Sequence, residues 1–363
     1  MSLKLVRLLP LVVAAVLELA MLNNVMHGKI WPPKAALLVG SRLVGQLSRA
    51  RDPQIPVLAD AGYDSQFYWA IAQDPFMRDS RVLKSLDATA YRYQRILFPL
   101  IAWLTPGSVP SLAYRLWALA GAAWLAGLYA MYRLARGIPA SAPAAMMLYA
   151  VSPGLAFAVL HPLPDVWATT LSLLGLLAWT RRRHGWAAVL FALAGLAKET
   201  TVLVPAALIL PSLGRRQLGS TRNLLLCAAI VPAAAWQIIL RLRLGVWPMD
   251  QSVNNLALPF AGLLKVGFDV LLTERGVIDF LVAVEIATLA VYTLTRIGWP
   301  GSDLEAVLWG QACLMLVAGS AVMEGIGSSS RASILFFLFF GLWVLQRGRP
   351  SPAAAVCMSG LLA

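Results

Sequence analysis

The sequence predicts an all-α protein, a single polytopic bundle of about ten transmembrane helices. Hydrophobic residues make up 59% of the 363-residue chain and charged residues only 13%, against about 25% charged in ordinary soluble domains. The apolar residues form blocks long enough to cross about 30 Å of hydrocarbon, which takes about 20 helical residues. Clusters of Arg and Lys mark every second connection between these blocks. This composition is unsuited to a water-soluble surface.

Ten apolar blocks supply the predicted helices. Six are long enough to span a membrane by themselves, whereas four are short enough to be either core helices or re-entrant segments. The long blocks are 8–26, 112–132, 143–160, 223–243, 277–296 and 303–322, and the short blocks are 165–180, 186–197, 200–213 and 332–346.

The first block follows two basic residues, Lys4 and Arg7, as the apolar core of a signal peptide does. No small-residue cleavage site clearly follows it, so we interpret it as a retained signal anchor. The three cysteines lie in apolar segments at unrelated spacings, which indicates neither a disulfide framework nor a zinc site. No cofactor is expected, and no divalent cation is indicated.

The basic connections predict the orientation of the chain. Short cytoplasmic loops carry the excess of Lys and Arg, so both termini should be cytoplasmic. The net charge of +13 then reflects mostly this inner face against anionic lipids, and nucleic-acid binding is not expected. The basic residues are Lys4, Arg7, Arg133, Arg136, Arg181, Arg182, Arg183, Arg215, Arg216, Arg222, Arg296, Arg347 and Arg349.

The other connections should face the periplasm or the cell exterior. The longest of them, 27–111, holds ten Lys and Arg against six Asp, but long translocated loops obey the charge rule weakly. Within it, 35–49 has the pattern of an amphipathic surface helix, and 93–104 is either re-entrant or a further span. The remaining outer connections are 161–165, 198–199, 245–276 and 323–331.

The densest group of polar residues in the outer loop begins at Asp60. If 60–72 is helical, Asp60, Asp64 and Tyr68 share one face at i, i+4 spacing. Acidic groups among aromatic rings are typical of a sugar site, with Tyr63 and Gln66 as further contacts. An interfacial aromatic belt with helix-capping aspartates is the alternative interpretation.

Arg92 and Arg95 stand at the edge of the apolar stretch 93–104. Two guanidinium groups three residues apart can bind a phosphate, because each presents a fork of donors. They can equally extend to lipid headgroups.

Polar residues also occupy three later outer connections. Asp165 can bind substrate hydroxyls or cap the helix that follows it, and His161 lies beside it. Lys198 and Glu199 separate two half-length helices, where they can either pair with each other or reach a ligand. Arg331 follows a Gly- and Ser-rich turn and is another candidate phosphate ligand.

The order of these motifs resembles the polytopic lipid-linked glycosyltransferases of the GT-C superfamily, in particular bacterial members and the GPI-type mannosyltransferases. Those proteins place Trp or Tyr followed by Asp in the first outer loop, matched here by Tyr63-Asp64. Related bacterial proteins carry Arg-Tyr-Gln-Arg and an aromatic-proline pair downstream, matched by 92–95 and by Phe98-Pro99. The oligosaccharyl and protein mannosyl branches usually show Asp-Glu or Asp-x-Asp, whereas here Ser65 follows Asp64, so no metal site is predicted.

The resemblance implies transfer of a sugar from a polyprenyl-phosphate carrier to a glycan, lipid or protein acceptor at the outer face of the inner membrane, with inversion. Asp64 would then be the catalytic base, and Arg92, Arg95, Lys198 and Arg331 would hold the carrier phosphate. The expected partners are this donor, its acceptor and membrane lipids. The residues expected to bind substrate are Asp60, Tyr63, Gln66, Tyr68, Arg92, Arg95, His161, Asp165, Lys198, Glu199 and Arg331.

Two other classes of function remain open. A transporter or flippase of lipid-linked saccharide would use the same charges as a path, with polar residues through several helix centres. An assembly protein would bind polysaccharide without turnover. Here the polar residues gather at one predicted face, which favours the transferase.

Overall fold

A computed structural model describes residues 33–136, 141–214, 219–252, 254–273 and 276–347 of the chain. The predicted anchor 8–26, both termini and the basic residues Lys4, Arg7, Arg215, Arg216 and Arg349 lie outside the described residues.

The described part of the chain is predominantly helical, which confirms the all-α expectation. Its one small sheet pairs Val39–Gly40 (β1) in parallel with Val57–Leu58 (β2). Gly40 lies so close to the backbone of Ala61 that an added Cβ would be 2.2 Å from the carbonyl carbon, so only glycine fits there.

The segment 33–111 folds into short helices and turns that pack on the helices that follow. All seven residues of its helix Ser65–Ile71 are buried, including Trp69 and Tyr68 at 0% exposure. These rings belong to the core and do not line an open subsite. The short helices are Gly45–Arg51 (α1), Ser65–Ile71 (α2), Ser80–Lys84 (α3), Thr89–Tyr93 (α4) and Leu97–Leu104 (α5).

Two expectations for this segment are corrected. The amphipathic helix predicted at 35–49 is wrong, because 3-10 turn Ala35–Leu37 and β1 occupy its first part and α1 begins only at Gly45. The stretch 93–104 does not span, since α5 has eight residues, about 12 Å at 1.5 Å per residue. That length is less than half of a hydrocarbon core of about 30 Å.

The later chain forms helices at most of the predicted positions, and the longest of them have 24 residues each. In order they are Leu112–Ala135 (α6), Ser141–Ala150 (α7), Pro153–Leu160 (α8), Pro164–Thr180 (α9), His184–Ala197 (α10), Leu203–Ala207 (α11), Leu210–Gly214 (α12), Thr221–Leu244 (α13), Ala261–Thr273 (α14), Val277–Ile297 (α15), Asp303–Leu316 (α16), Ser320–Met323 (α17), Ile326–Ala332 (α18) and Ile334–Arg347 (α19).

Two described helices, α13 and α15, are long and apolar enough to cross a membrane, and α7 with α8 makes a third if this bent pair is one span. At 1.5 Å per residue, the 24 residues of α13 extend about 36 Å, which exceeds the hydrocarbon thickness of about 30 Å. Leu224, Val231 and Ile238 are exposed along α13. Large exposed apolar side chains on a long helix are typical of contact with lipid.

Several predicted helices are interrupted. The block 143–160 bends by 52° between α7 and α8, where Pro153 begins the second helix. The block 303–322 ends early at Leu316, because Val317 and Gly319 form backbone hydrogen bonds with Ala257 and Asn255. The connection 245–276 contains a helix, α14, that the sequence analysis did not predict.

Candidate functional site

Asp64 lies between two arginines that come from distant parts of the chain. Its Oδ1 accepts a hydrogen bond from Arg92 Nη1 at 2.8 Å, and its Oδ2 accepts one from Arg331 Nη1 at 3.0 Å. Asp64 directly precedes α2, but its side chain does not cap that helix. The capping interpretation is therefore wrong for Asp64. Its side chain is 23% exposed, so this carboxylate remains accessible.

Two opposing effects determine the pKa of Asp64. Burial raises this pKa, but the positive charges of Arg92 and Arg331 outweigh burial and hold the pKa below its ordinary value. Asp64 is therefore ionised at neutral pH. Its basicity is weakened for as long as both guanidinium groups contact it.

Asp165 binds two cations. Its Oδ1 accepts from Lys198 Nζ at 2.7 Å and its Oδ2 from Arg331 Nη2 at 3.3 Å. Its side chain is 1% exposed. Pro164 begins α9 and places Asp165 in the first turn, where the helix dipole favours negative charge. The N-cap position belongs to Leu163, so Asp165 contributes an ion pair here and not an N-cap.

Lys198 and Glu199 do not pair with each other, so that alternative is wrong. Glu199 instead accepts two hydrogen bonds from Arg95, at 2.8 and 3.0 Å. Lys198 follows the last residue of α10 with an extended backbone, φ −155° and ψ 122°. Successive side chains of an extended segment point to opposite sides, which separates these two neighbours.

Arg95 is also held by aromatic hydroxyl groups. Its Nη2 donates to Tyr91 Oη at 2.9 Å, and its Nη1 donates to the buried Tyr68 Oη at 3.4 Å. The guanidinium therefore has a fixed position, with its side chain 6% exposed.

Asp87 also belongs to the site, although the sequence did not identify it as a candidate. Its two carboxylate oxygens accept from Arg92 Nε and Nη2 at 2.8 and 2.7 Å. The ring of Phe67 lies 4.3 Å from the same guanidinium. Asp87 precedes α4, so the helical i, i+4 spacing could not identify the pair.

Tyr63 and His161 form an aromatic side of the site with Phe157. The Tyr63 hydroxyl accepts a hydrogen bond from Arg331 Nη1 at 2.6 Å and keeps its own proton for donation. His161 Nδ1 lies 2.9 Å from the Ala36 carbonyl oxygen, so Nδ1 carries the proton and Nε2 is the acceptor in the neutral ring. Burial lowers the pKa of His161, which favours that neutral form.

Asp60 and Gln66 form hydrogen bonds with backbone groups and take no part in the ion pairs described above. Asp60 is exposed and accepts from the backbone N–H of Gly62 at 2.8 Å. The predicted helical stack of Asp60 on Asp64 is wrong, because α2 begins only at Ser65. Gln66 accepts from Gly40 N–H at 3.0 Å and donates to the Ala61 carbonyl at 2.8 Å.

The network contains equal numbers of positive and negative groups, so its formal charge is zero. Each of the four predicted phosphate ligands already has a carboxylate partner. An anionic ligand must therefore compete with a carboxylate for these cations. We name this set the ionic cluster: Asp64, Asp87, Arg92, Arg95, Asp165, Lys198, Glu199 and Arg331.

Comparison of the chain with protein-family models, with curated proteins and with solved structures finds no match. The chemistry that the ionic cluster supports is therefore inferred from its own residues.

Proposed function

We propose that the protein is a GT-C-type glycosyltransferase with a bundle of about ten transmembrane helices. It transfers a sugar, with inversion, from a polyprenyl-phosphate carrier to an acceptor at the outer face of the inner membrane. The contact of Asp64 with Arg92 and Arg331 is the observation that carries this proposal. An inverting transfer needs a carboxylate to take the acceptor's proton and cations to hold the departing phosphate.

The reaction is a single displacement at the anomeric carbon. The acceptor hydroxyl oxygen forms a bond to this carbon while the bond from the carbon to the phosphate oxygen breaks. The bonding electrons leave with the phosphate, and Asp64 takes the acceptor's proton. The phosphate gains negative charge as it leaves, so a guanidinium beside it stabilises the transition state more than the ground state.

Binding of the donor activates the base in this mechanism. The donor's phosphate competes with Asp64 for Arg92 and Arg331. Once these guanidinium groups turn to the phosphate, its negative charge offsets theirs, so they lower the pKa of Asp64 less, and burial raises it. The base becomes stronger only when the donor is present.

The other residues of the cluster hold the two arginines while this exchange occurs. Asp87 remains on Arg92 and Asp165 on Arg331, so neither guanidinium loses all of its partners. Tyr63, through its hydroxyl proton, and His161, through Nε2, would contact sugar hydroxyls beside Arg331 in this mechanism.

The positions of these charges favour a reaction centre over a transport path. Asp64 directly precedes α2, Asp165 lies in the first turn of α9 and Lys198 follows α10. All three therefore lie where helices begin or end. A translocation path would require such groups through several helix centres.

Replacement of Asp64 by Asn tests the proposal. Asp64→Asn keeps the size of the side chain and removes the basicity, and general bases contribute about 10² to 10⁴ in rate. The Asp64→Asn protein is placed in nanodiscs and mixed with envelope membranes. Its transfer of radiolabelled sugar from polyprenyl-phosphate mannose or polyprenyl-phosphate glucose should be at least about a hundredfold slower than that of the wild type. Arg92 and Arg331 keep Asp87 and Asp165, so the variant should still fold.

Asp60→Asn is the matched control, because Asp60 lies outside the ionic cluster and, within the described part of the chain, accepts only from the backbone N–H of Gly62. It should lose far less transfer than Asp64→Asn. Full transfer by the Asp64→Asn protein would refute the assignment of the base.

A further inference from the structure

The N-terminus of α4, the helix that carries Arg92, is capped by a side chain from a remote part of the sequence. Its own N-cap residue, Ala88, supplies no side-chain hydrogen bond. Gln251 Oε1 instead accepts from the backbone N–H groups of Ala90 at 2.8 Å and Tyr91 at 3.3 Å. Uncapped N–H groups at a helix start need such an acceptor.

The end of α4 is held by the same distant segment. Trp236 Nε1 donates to the Tyr93 carbonyl oxygen at 2.9 Å, and Gln237 Nε2 donates to Gln94 Oε1 at 3.1 Å. Trp236 and Gln237 belong to α13, and Gln251 ends the 3-10 segment Pro248–Gln251. The segment 236–251 therefore binds α4 at both ends.

A helix of five residues depends on such contacts, because isolated helices below about 12 residues are marginal in water. Arg92 lies within α4 and reaches Asp64, and Arg95 follows two residues after the helix and reaches Glu199. The positions of both guanidinium groups therefore depend on how α4 is held. The contacts from Gln251 accept two backbone N–H groups of its first turn.

We propose that Gln251 is a positioning residue for the sugar transfer. It caps α4 and thereby holds Arg92 where this guanidinium binds the donor's phosphate, and it helps to keep Arg95 on Glu199. Gln251 contacts the backbone of α4 and none of the eight residues of the ionic cluster in the hydrogen bonds described. This inference rests on the proposed function.

Two substitutions of Gln251 separate its hydrogen-bond acceptor from its size. Gln251→Met keeps the length and removes the acceptor, whereas Gln251→Glu keeps an acceptor oxygen and adds a charge that a helix N-terminus favours. Ser252→Ala is the control, because among the described residues the Ser252 hydroxyl donates only to the Met249 carbonyl, at 3.0 Å. All are made in the full-length protein in nanodiscs.

Amide hydrogen exchange of peptides covering 88–96 and the KM for polyprenyl-phosphate mannose or glucose are then measured. In Gln251→Met, loss of the cap should speed exchange at the first turn of α4 and raise the donor KM, each by about 3- to 30-fold. The KM for the acceptor should not change. The Gln251→Glu protein should have the wild-type exchange rate at the first turn of α4 and the wild-type donor KM. Ser252→Ala should match the wild type in both.

Unchanged exchange in Gln251→Met would overturn the capping role, whether or not the protein transfers sugar. Faster exchange with an unchanged donor KM would show a purely structural cap and overturn the positioning role. No transfer by the wild-type protein would instead refute the proposed function, and the positioning role with it, while the exchange data would still report the cap.

Discussion

At the scale of single residues, the carboxylates of the ionic cluster differ in their burial and in the number of cations that they bind. They should therefore differ in how much they contribute to stability. Asp165 is 1% exposed and is bound by both Lys198 and Arg331. Asp87 is 39% exposed and is bound by Arg92 alone. A buried ion pair that loses one partner leaves a charge without compensation, and the loss costs far more than at an exposed pair.

Replacement of these two carboxylates by amides should therefore have unequal effects on stability. Asp165→Asn should lower the free energy of unfolding by about 3 to 5 kcal/mol, since two buried cations lose their common partner. Asp87→Asn should lower it by less than about 1 kcal/mol. Thermal unfolding of the purified variants in detergent measures both, and equal losses would contradict this account of the cluster.

At the scale of helices, one close contact sets the spacing of three elements. Gly127 in α6 faces Tyr149 of α7 and Thr170 of α9, and an added Cβ would lie 2.0 Å from the Tyr149 hydroxyl. Thr170 Oγ1 donates to the Ala123 carbonyl of α6 at 2.8 Å. Only a residue without a side chain allows this approach.

Two Gly→Ala substitutions in α6 should therefore have opposite signs. Gly127→Ala forces the three helices apart and should destabilise the protein by about 1 to 3 kcal/mol, as overpacking does. Gly121→Ala meets no atom within 4 Å and should stabilise by up to about 1 kcal/mol through helix propensity. Thermal unfolding in detergent decides this, and a tolerated Gly127→Ala would mean that the helices can separate without cost.

Two residues of the ionic cluster lie where helices are interrupted. Lys198 lies at the break after α10, and Arg331 lies in the short helix α18 just before α19 begins. A continuous helix would carry such residues into the membrane, where charge is costly. The breaks let them meet Asp165 at the start of α9 instead.

At the scale of the whole molecule, residues from separate predicted outer connections meet in the ionic cluster. The connections 27–111, 161–165, 198–199 and 323–331 all contribute charges to it. Arg222 and Arg347, from two predicted inner connections, make their contacts elsewhere. Arg222 lies 4.8 Å from the ring of Trp179, and Arg347 pairs with Glu305 at 3.2 Å. Neither contact involves a residue of the ionic cluster.

The side of the membrane on which each connection lies remains a prediction and is tested by labelling. In a protein with Cys227, Cys313 and Cys357 replaced by Ala, single cysteines are placed at Arg81 and Arg181, which are both exposed. A thiol reagent that cannot cross the membrane should label Arg81→Cys in intact cells and spare Arg181→Cys until the cells are opened. The reverse pattern would place the ionic cluster on the cytoplasmic face and overturn the outer-face proposal.

The sequence by itself determined which segments of the described chain are apolar helices and which of their ends collect charge. Helices α6, α9, α13 and α15 follow the predicted blocks closely, because helix length and hydropathy are local properties of the chain. Arg92 and Arg95 could be singled out for the same reason, since charged residues beside apolar blocks are conspicuous, and Tyr63 and Asp64 stood out as an acidic group among aromatic rings.

Only the tertiary structure decided which charges meet. Lys198 pairs with Asp165, 33 residues away, and not with its neighbour Glu199. The cap that Gln251 places on α4 joins residues 161 positions apart. Sequence spacing predicts contacts within one helix, where the period is fixed at 3.6 residues. Contacts between helices depend on where each helix bends, breaks and packs, and these features are set by the whole chain at once.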